Sequence, residues 1–329
     1  MKTVVTGGAG FIGSNLVRKL LDQEREVIIA DDFSRGSTQN LADLKIKPGD
    51  VGNKSEFTKI DLKDYQQAKN ITMETDSVFH LAARIGSINF LHGNNYNELE
   101  ALQSNLTIDA NVFKACLENG VKKLVFASSI SVYPIDLQEN SYQVVMQESA
   151  LNRYNPEGGY GWAKLMGEIE LQWMNSIDIG IARIFNIYGQ NSHIGTDPHV
   201  VVDLMGKAMA YPDKKFDVWG NGQQSRDFLH VSDCTDALIK LEEKASKPPV
   251  VVNVGSGKAT SIATLAEKIV HISGKNIKIE YDISKPVGPL SRTAEISHAK
   301  SILGWQPAVS LDEGLLRTYR WLEKRQVSR

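Results

Sequence analysis

Residues 2–23 constrain the fold of this chain more than any other stretch: an apolar run, three spaced glycines and a helical pattern follow one another there. Lys2–Thr6, with Val4 and Val5 at its centre, is the β-branched run of a buried parallel strand. Gly7, Gly10 and Gly13 follow at a spacing of three, and Ile12, Leu16, Val17, Leu20 and Leu21 then recur at helical period. Strand, glycine turn and amphipathic helix in that order are the context of a dinucleotide fingerprint. Its glycines permit a tight turn and close approach to a pyrophosphate, whose charge meets N–H groups at the helix start, beside Phe11 and Ile12. Val27–Ala30 reads as a second strand, which Asp31 ends. A carboxylate at that place accepts hydrogen bonds from the adenosine ribose hydroxyls and repels a 2′-phosphate, so the stretch predicts NAD in preference to NADP. The expected fold is α/β, a Rossmann-type doubly wound parallel sheet.

The 329 residues suffice for one large α/β unit or two fused lobes. A net charge of −2, with the signs mixed, gives no basic stripe for nucleic acid. Cys116 and Cys234 stand far apart in helix-like surroundings, as small core residues of a reducing compartment and neither a disulfide framework nor a metal site. The N-terminus enters directly into a strand, and no apolar run approaches the ~18 residues of a membrane span. A soluble, cytoplasmic protein with no membrane or metal partner is expected.

Beyond Asp31, the turn-rich Asp32-Phe33-Ser34-Arg35-Gly36 is placed to wrap over the adenosine through Asp32 and Ser34. Phe57–Ile60 is a further strand leading to Asp61 and Leu62. Asp61 either binds the adenine amino group or caps a helix over Leu62–Lys69. Ser77–Leu81 is a fourth strand, and the small Ala82 and Ala83 after Leu81 let the cofactor come close. His80, inside that strand, reads as a packed and satisfied histidine. Arg84–Asn95 is a loop at a strand's carboxyl end, where open α/β sheets bind ligands. Glu98–Asn119 has a helical pattern with Ile108, Val112 and Ala115 on one face, and Asn105 within it. Lys122–Ala127 is a fifth strand, delivering Ser128-Ser129-Ile130-Ser131-Val132-Tyr133-Pro134 to the same edge.

Tyr160 and Lys164 stand four apart in a run of good helix formers, so phenol and ammonium share one helical face. A lysine close to a tyrosine stabilises phenolate, drawing its pKa from ~10 toward neutrality, as a catalytic base requires.

Together, Gly7-x-x-Gly10-x-x-Gly13, Asp31, Ser129 and Tyr160-x-x-x-Lys164 resemble the extended short-chain dehydrogenase/reductase superfamily, in its nucleotide-sugar epimerase and dehydratase branch. The resemblance runs to Leu303-Gly304-Trp305-Gln306-Pro307. It implies that Tyr160 takes the sugar hydroxyl proton, that Lys164 tunes it and holds the nicotinamide ribose, and that Ser129 bonds the same sugar oxygen. Asn105 is carried over as a further cofactor neighbour. For the substrate, a nucleotide-diphosphate sugar on UDP or GDP, it implies contacts from Arg84, Gly86, Ser87, Asn186, Val200 and Trp219. It also implies a pyrophosphate held between Arg226 and Arg292. A homodimer paired through the helices at Glu98–Asn119 and Tyr160–Trp173 belongs to the same expectation.

The second half reads as a strand over Gly180–Phe185, a substrate-binding turn at Asn186–Gly189 and a loop Gln190–Pro198 holding His193, with His199 just past it. A helix over Val200–Ala210 and a strand from Asp217 follow; Val250–Val254 is a strand, and Gly255-Ser256-Gly257 opens the last helical segment. The expected division is residues 1–185 plus about 226–255 for NAD, and about 186–225 plus 256–329 as a smaller α/β C-terminal domain for the sugar nucleotide. Dehydratases and decarboxylases of this branch carry an acid one or two places after the catalytic serine; Ile130 and Ser131 stand there, which disfavours both reactions. Arg84–Asn95 and Ser-x-x-x-Tyr-Pro are similar to GDP-mannose 3,5-epimerases and GDP-fucose synthases, and His199 falls near the latter's catalytic histidine. Those families, however, place a cysteine where this chain has Ser131, a weak proton-transfer group. The expected function is an NAD-dependent epimerase, similar to UDP-glucose 4-epimerases, inverting C4 through a 4-keto sugar. A GDP-mannose 3,5-epimerase type is the alternative, and a non-catalytic NAD or sugar-nucleotide sensor stands behind both.

Overall fold

The structure is a computed structural model that describes residues 1–44, 49, 55–85, 95–139, 144–195 and 198–327. Gly86 and Ser87 lie outside the described residues, as does most of the loop that holds them. In the first half, β1 (Lys2–Thr6), β2 (Glu26–Asp31), β3 (Ser55–Lys59), β4 (Ser77–His80) and β5 (Lys123–Ser129) alternate with helices α1 (Phe11–Asp22), α2 (Tyr65–Ile71) and α3 (Asn95–Glu118). Then come α4 (Ile135–Glu139), β6 (Val145–Met146), α5 (Gly158–Leu171), β7 (Asp178–Ile184) and β8 (Asn186–Tyr188). The remainder is α6 (Val200–Ala210), β9 (Phe216–Trp219), β10 (Ser225–His230), α7 (Val231–Lys244), β11 (Val250–Val254), β12 (Ala259–Ser261), α8 (Ile262–Ser273), β13 (Ile279–Asp282), β14 (Ser291–Ala294), α9 (Ser297–Leu303) and α10 (Leu311–Val327).

Seven strands form one parallel sheet in the order β11-β7-β5-β4-β1-β2-β3. The chain leaves β3 at one edge and re-enters beside β1 as β4, so the winding direction reverses between β1 and β4. That reversal opens a crevice at the strands' carboxyl ends. One face is covered by Leu16, Val17 and Leu20 of α1, Cys234 and Leu238 of α7, and Leu303 of α9. The other is covered by Ala68 of α2, Val112, Phe113 and Cys116 of α3, and Leu171 of α5. Apolar strands with both faces covered are what the continuous runs in the sequence require. Both cysteines are buried in these layers, as expected. A separate core joins α6, α8 and α10 to β9 through Leu204, Met205, Phe216, Leu265, Ile269 and Leu315.

Three expectations need correction. Residues 186–189 do not form a simple turn: Asn186–Tyr188 pairs as a short parallel strand with Phe228–His230 of β10. Gly255–Gly257 does not open a helix, because Ala259–Ser261 first pairs antiparallel with β10, and α8 starts after it with Ser261 as its cap. The helix after Asp61 starts later, at Tyr65, and Asp64 caps it by accepting the N–H groups of Gln66 and Gln67. Among the described residues, no helix is long and apolar enough to cross a membrane.

Candidate active site

The crevice is a cavity of about 1460 Å³, larger than the roughly 300–1,000 Å³ of a single small-molecule pocket and so roomy enough for a dinucleotide beside a second ligand. Its wall takes residues from the ends of β1, β2, β3, β4, β5 and β7, and from the α6–β9 and β10–β14 region opposite.

At one end stands the glycine turn. Gly7 has φ +67°, and a Cβ on Gly13 would lie 2.1 Å from the Gly7 carbonyl oxygen, so the turn closes only with glycine at both places. No side chain among the described residues caps α1, whose first N–H groups face the cavity beside Phe11 and Ile12. Asp31, largely buried, accepts the N–H of Ala9 (2.9 Å) and of Phe33 (2.8 Å). Burial raises its carboxyl above the ordinary range, and the Phe33 and Ala9 N–H groups pull it back. Asp32, Ser34, Asp61, Leu62, Leu81, Ala82 and Ala83 line the same end. A backbone cradle that a Cβ would fill, next to a buried carboxylate, fits NAD.

Asn105 stands off this wall. Its amide donates to the carbonyls of Arg84 (2.9 Å) and Ala101 (2.8 Å) and accepts the Arg84 N–H (2.7 Å), fixing the backbone after β4. Lys164 is also behind the wall, 1% exposed, with its ammonium 3.6 Å from Asp109 and 4.4 Å from the Phe126 ring centre. Asp109 of α3 was not singled out in the sequence. It falls in the helical stripe of Asn105, Ile108, Val112 and Ala115, and a carboxylate in an apolar stripe is the signal that points to it. Its Oδ1 accepts His80 Nε2–H at 2.9 Å. The tautomer follows from Thr6: its Oγ1 accepts the N–H groups of Leu81 and Ala82, so its one hydrogen goes to His80 Nδ1 at 2.7 Å. His80 is the packed, satisfied histidine expected, and it links the cofactor strand to the lysine.

Tyr160 and Ser129 reach the wall from α5 and the end of β5. A Cβ on Gly161 would lie 2.4 Å from the Ser131 carbonyl oxygen, so glycine there is what lets α5 press against the serine loop. Burial pushes the Tyr160 phenol up, the Ser129 hydroxyl draws it down, and the Asp109 charge raises it again. Burial lowers the Lys164 ammonium, and the Asp109 carboxylate beside it raises it again. Beneath the loop, Arg183 donates to Glu168 (2.8 Å), the Tyr133 hydroxyl (3.1 Å) and the Glu148 carbonyl (2.9 Å), while Ser128 bonds Glu168.

Opposite stand Asn186, Val200, Trp219, His193 and His199, all on the wall, with Arg84 paired to Glu100 at 3.1 Å. Arg226 donates to the carbonyls of Ser225 (2.7 Å), Pro289 (2.7 Å) and Val287 (2.9 Å). Burial and the neighbouring Arg292 lower its guanidinium to about 9. Arg292 is ion-paired with Glu157, a cavity residue that sequence reasoning missed. Glu157 Oε2 also accepts the Ser131 hydroxyl at 3.0 Å. An acid absent from positions 130 and 131 is therefore supplied in space, and its only sequence signal is its place three residues before Tyr160.

Against known proteins, the model of the NAD dependent epimerase/dehydratase family matches residues 3–255. GDP-mannose 3,5-epimerase of Arabidopsis thaliana is 30% identical over 98% of this chain and 82% of its own length. UDP-glucuronic acid decarboxylase 3 of the same plant is 31% identical over 96% and 87%. The crystal structure of UDP-glucose 4-epimerase from Thermotoga maritima with UDP-glucose superposes with a TM-score of 0.86, at 26% identity, covering 99% of this chain and 100% of that one.

Proposed function

Because this chain belongs to the NAD dependent epimerase/dehydratase family, we propose that it is a nucleotide-sugar epimerase that inverts a hexose hydroxyl at C4 through a transient 4-keto sugar. The observation that carries this reading is a single cavity with the glycine turn and Asp31 at one end and Ser129 with Tyr160 along its wall. NAD, the family's cofactor, would supply the hydride acceptor and donor when bound in the cradle of Gly7, Gly10, Gly13 and Asp31. The side chains manage the proton. Tyr160 takes it from the reacting hydroxyl and gives it back after inversion, while Ser129 holds the same oxygen. Lys164, one helical turn on, supplies the positive charge that favours phenolate, and Asp109 keeps that ammonium in place. Gly7, Gly10, Gly13 and Asp31 hold the dinucleotide; a diphosphate at Arg226 or Arg292 would have to displace their carbonyl and Glu157 partners.

A second reading, 3,5-epimerisation, is favoured by the Ser131–Glu157 hydrogen bond, which gives the serine a proton acceptor. We rank it second because Glu157 is itself tied to Arg292. Turnover of UDP- and GDP-hexoses in D2O, read by NMR, separates the two. C4 inversion leaves no deuterium on carbon, whereas 3,5-epimerisation places it at C3 or C5. Retention of NAD with no conversion of any sugar nucleotide would instead favour a sensor.

Leu99 and Leu106 of α3 and Trp162 and Met166 of α5 are exposed apolar side chains on two neighbouring helices. We propose that a second copy covers them as a four-helix interface. A monomeric mass in solution at micromolar concentration would contradict this.

A further inference from the structure

We infer that Glu157 makes this site select neutral hexoses and turn away sugars that carry a carboxylate, an inference that rests on the sugar-nucleotide reading above. Family membership does not decide the matter, since relatives named for GDP-mannose and for UDP-glucuronic acid stand at 30% and 31% identity. The wall does. From the Tyr160 phenol it runs through Ser129, whose hydroxyl oxygen accepts the Ser131 N–H at 3.1 Å, to Ser131 and on to Glu157 at 3.0 Å. Substituents on ring carbons flanking the reacting carbon therefore face Ser131 and Glu157.

Glu157 is held from both sides. Its N–H donates to the Ser131 carbonyl at 2.9 Å, and its own carbonyl accepts the Gly161 N–H at 3.0 Å. The carboxylate is almost fully buried and cannot swing into water. The guanidinium that would welcome a substrate carboxylate, Arg292, is already taken by Glu157. The other guanidinium at this end, Arg226, is engaged with three backbone carbonyls. Glu157 thus occupies from within the anion site that Arg292 would offer. A uronate carboxylate brought there would be desolvated beside a like charge. A hydroxyl or hydroxymethyl group instead donates a hydrogen bond to Glu157. This is discrimination by a repulsive element, and it leaves neutral substrates unpenalised.

The test uses the full-length protein with bound NAD and pairs of probes differing only in oxidation at C6: UDP-glucose with UDP-glucuronate, and GDP-mannose with GDP-mannuronate. The neutral member of the accepted pair is expected to be favoured by about 100-fold or more in kcat/KM, the scale of a buried like-charge contact. Glu157→Gln, which keeps an oxygen for Ser131, should narrow that ratio at least about tenfold, mostly by admitting the uronate. Equal use of both members by the wild type overturns the inference, as does an unchanged ratio in a Glu157→Gln protein that still melts cooperatively and retains NAD. Competition of the uronate against the neutral sugar nucleotide for binding to the wild type tests the exclusion even where the variant does not fold: weak competition supports it and effective competition refutes it. Failure of every probe, neutral and acidic, to bind or turn over would remove the sugar-nucleotide reading itself, and this inference with it.

Discussion

The two ends of the cavity answer the problem of buried charge in different ways. At the cofactor end the fixed carboxylate, Asp31, is satisfied by backbone N–H groups of Ala9 and Phe33, both close to it along the chain or on the adjoining turn. At the opposite end the charges satisfy one another or distant carbonyls: Arg292 pairs with Glu157, and Arg226 reaches Pro289 and Val287. The first arrangement is a finished cradle that a ligand enters without disturbing it. The second is a network whose partners a ligand must match. Changes at the first end should therefore act on cofactor affinity, and changes at the second on turnover and choice of substrate.

The largest effect expected is from Tyr160→Phe, which removes only the phenolic oxygen from the seam between the two ends. Hydride transfer should fall by about 10³-fold, the scale of a lost general base, with NAD affinity nearly unchanged by titration. A fall in NAD affinity of the same size would place Tyr160 in the cradle instead.

A pair of glycine variants tests the division directly. In Gly13→Ala the new Cβ would meet the Gly7 carbonyl, and the turn must open at a cost of about 1–3 kcal/mol, with loss of NAD binding. In Gly161→Ala the Cβ would meet the Ser131 carbonyl and displace the serine loop, so kcat should drop while NAD still binds. If both variants lost NAD equally, the two ends would be one unit.

The same contrast governs how much was legible in the sequence. The glycine turn, Asp31 and the Tyr160–Lys164 face are local patterns, with partners one turn or one strand away, so periodicity and spacing reveal them. The Ser131 partner of Glu157, the His80 partner of Asp109 and the Val287 and Pro289 partners of Arg226 lie 26 to 63 residues away along the chain. No local pattern encodes those. The β8, β12 and β14 strands escaped for the same reason: each is three or four residues long and exists because β10 lies beside it. Helical spacing shows Lys164 beside Tyr160 but neither the burial that raises the phenol nor the Asp109 charge behind it.

Acid stability offers a smaller effect, at the end of β10. His230, at the end of β10, accepts the Ser232 N–H on Nδ1 and caps α7, and burial lowers it from 6.5 to about 4. Between those values the unfolded chain binds the proton and the folded one does not, so stability falls as pH drops from about 6.5 toward 4 and is fully present above 6.5. By pH 5 the loss from this group should be up to about 2 kcal/mol in denaturant titrations. His230→Asn keeps a capping oxygen without the titration, and should flatten that slope. An unchanged slope would assign the acid sensitivity elsewhere, with His80, likewise lowered by burial, the next group to replace.

The smallest effect is the most specific to the cofactor end. Asp31→Asn preserves shape and removes the charge. The amide keeps one oxygen for the two N–H groups that the carboxylate satisfied, so stability should fall by about 1 kcal/mol, the net worth of one hydrogen bond. Part of that is offset because burial had penalised the ionised carboxyl. A carboxyl whose folded pKa is raised loses stability as pH rises through that value, and the amide does not. Selectivity should move further than stability. The wild type is expected to bind NAD well and NADP poorly, and Asp31→Asn should narrow the gap by roughly tenfold, about 1.4 kcal/mol, by relieving repulsion of the 2′-phosphate. Titration of both cofactors against both proteins reads this directly. Equal affinity of the wild type for NAD and NADP would mean that Asp31, already served by Ala9 and Phe33, is a structural carboxylate that stabilises the turn and leaves the ribose alone.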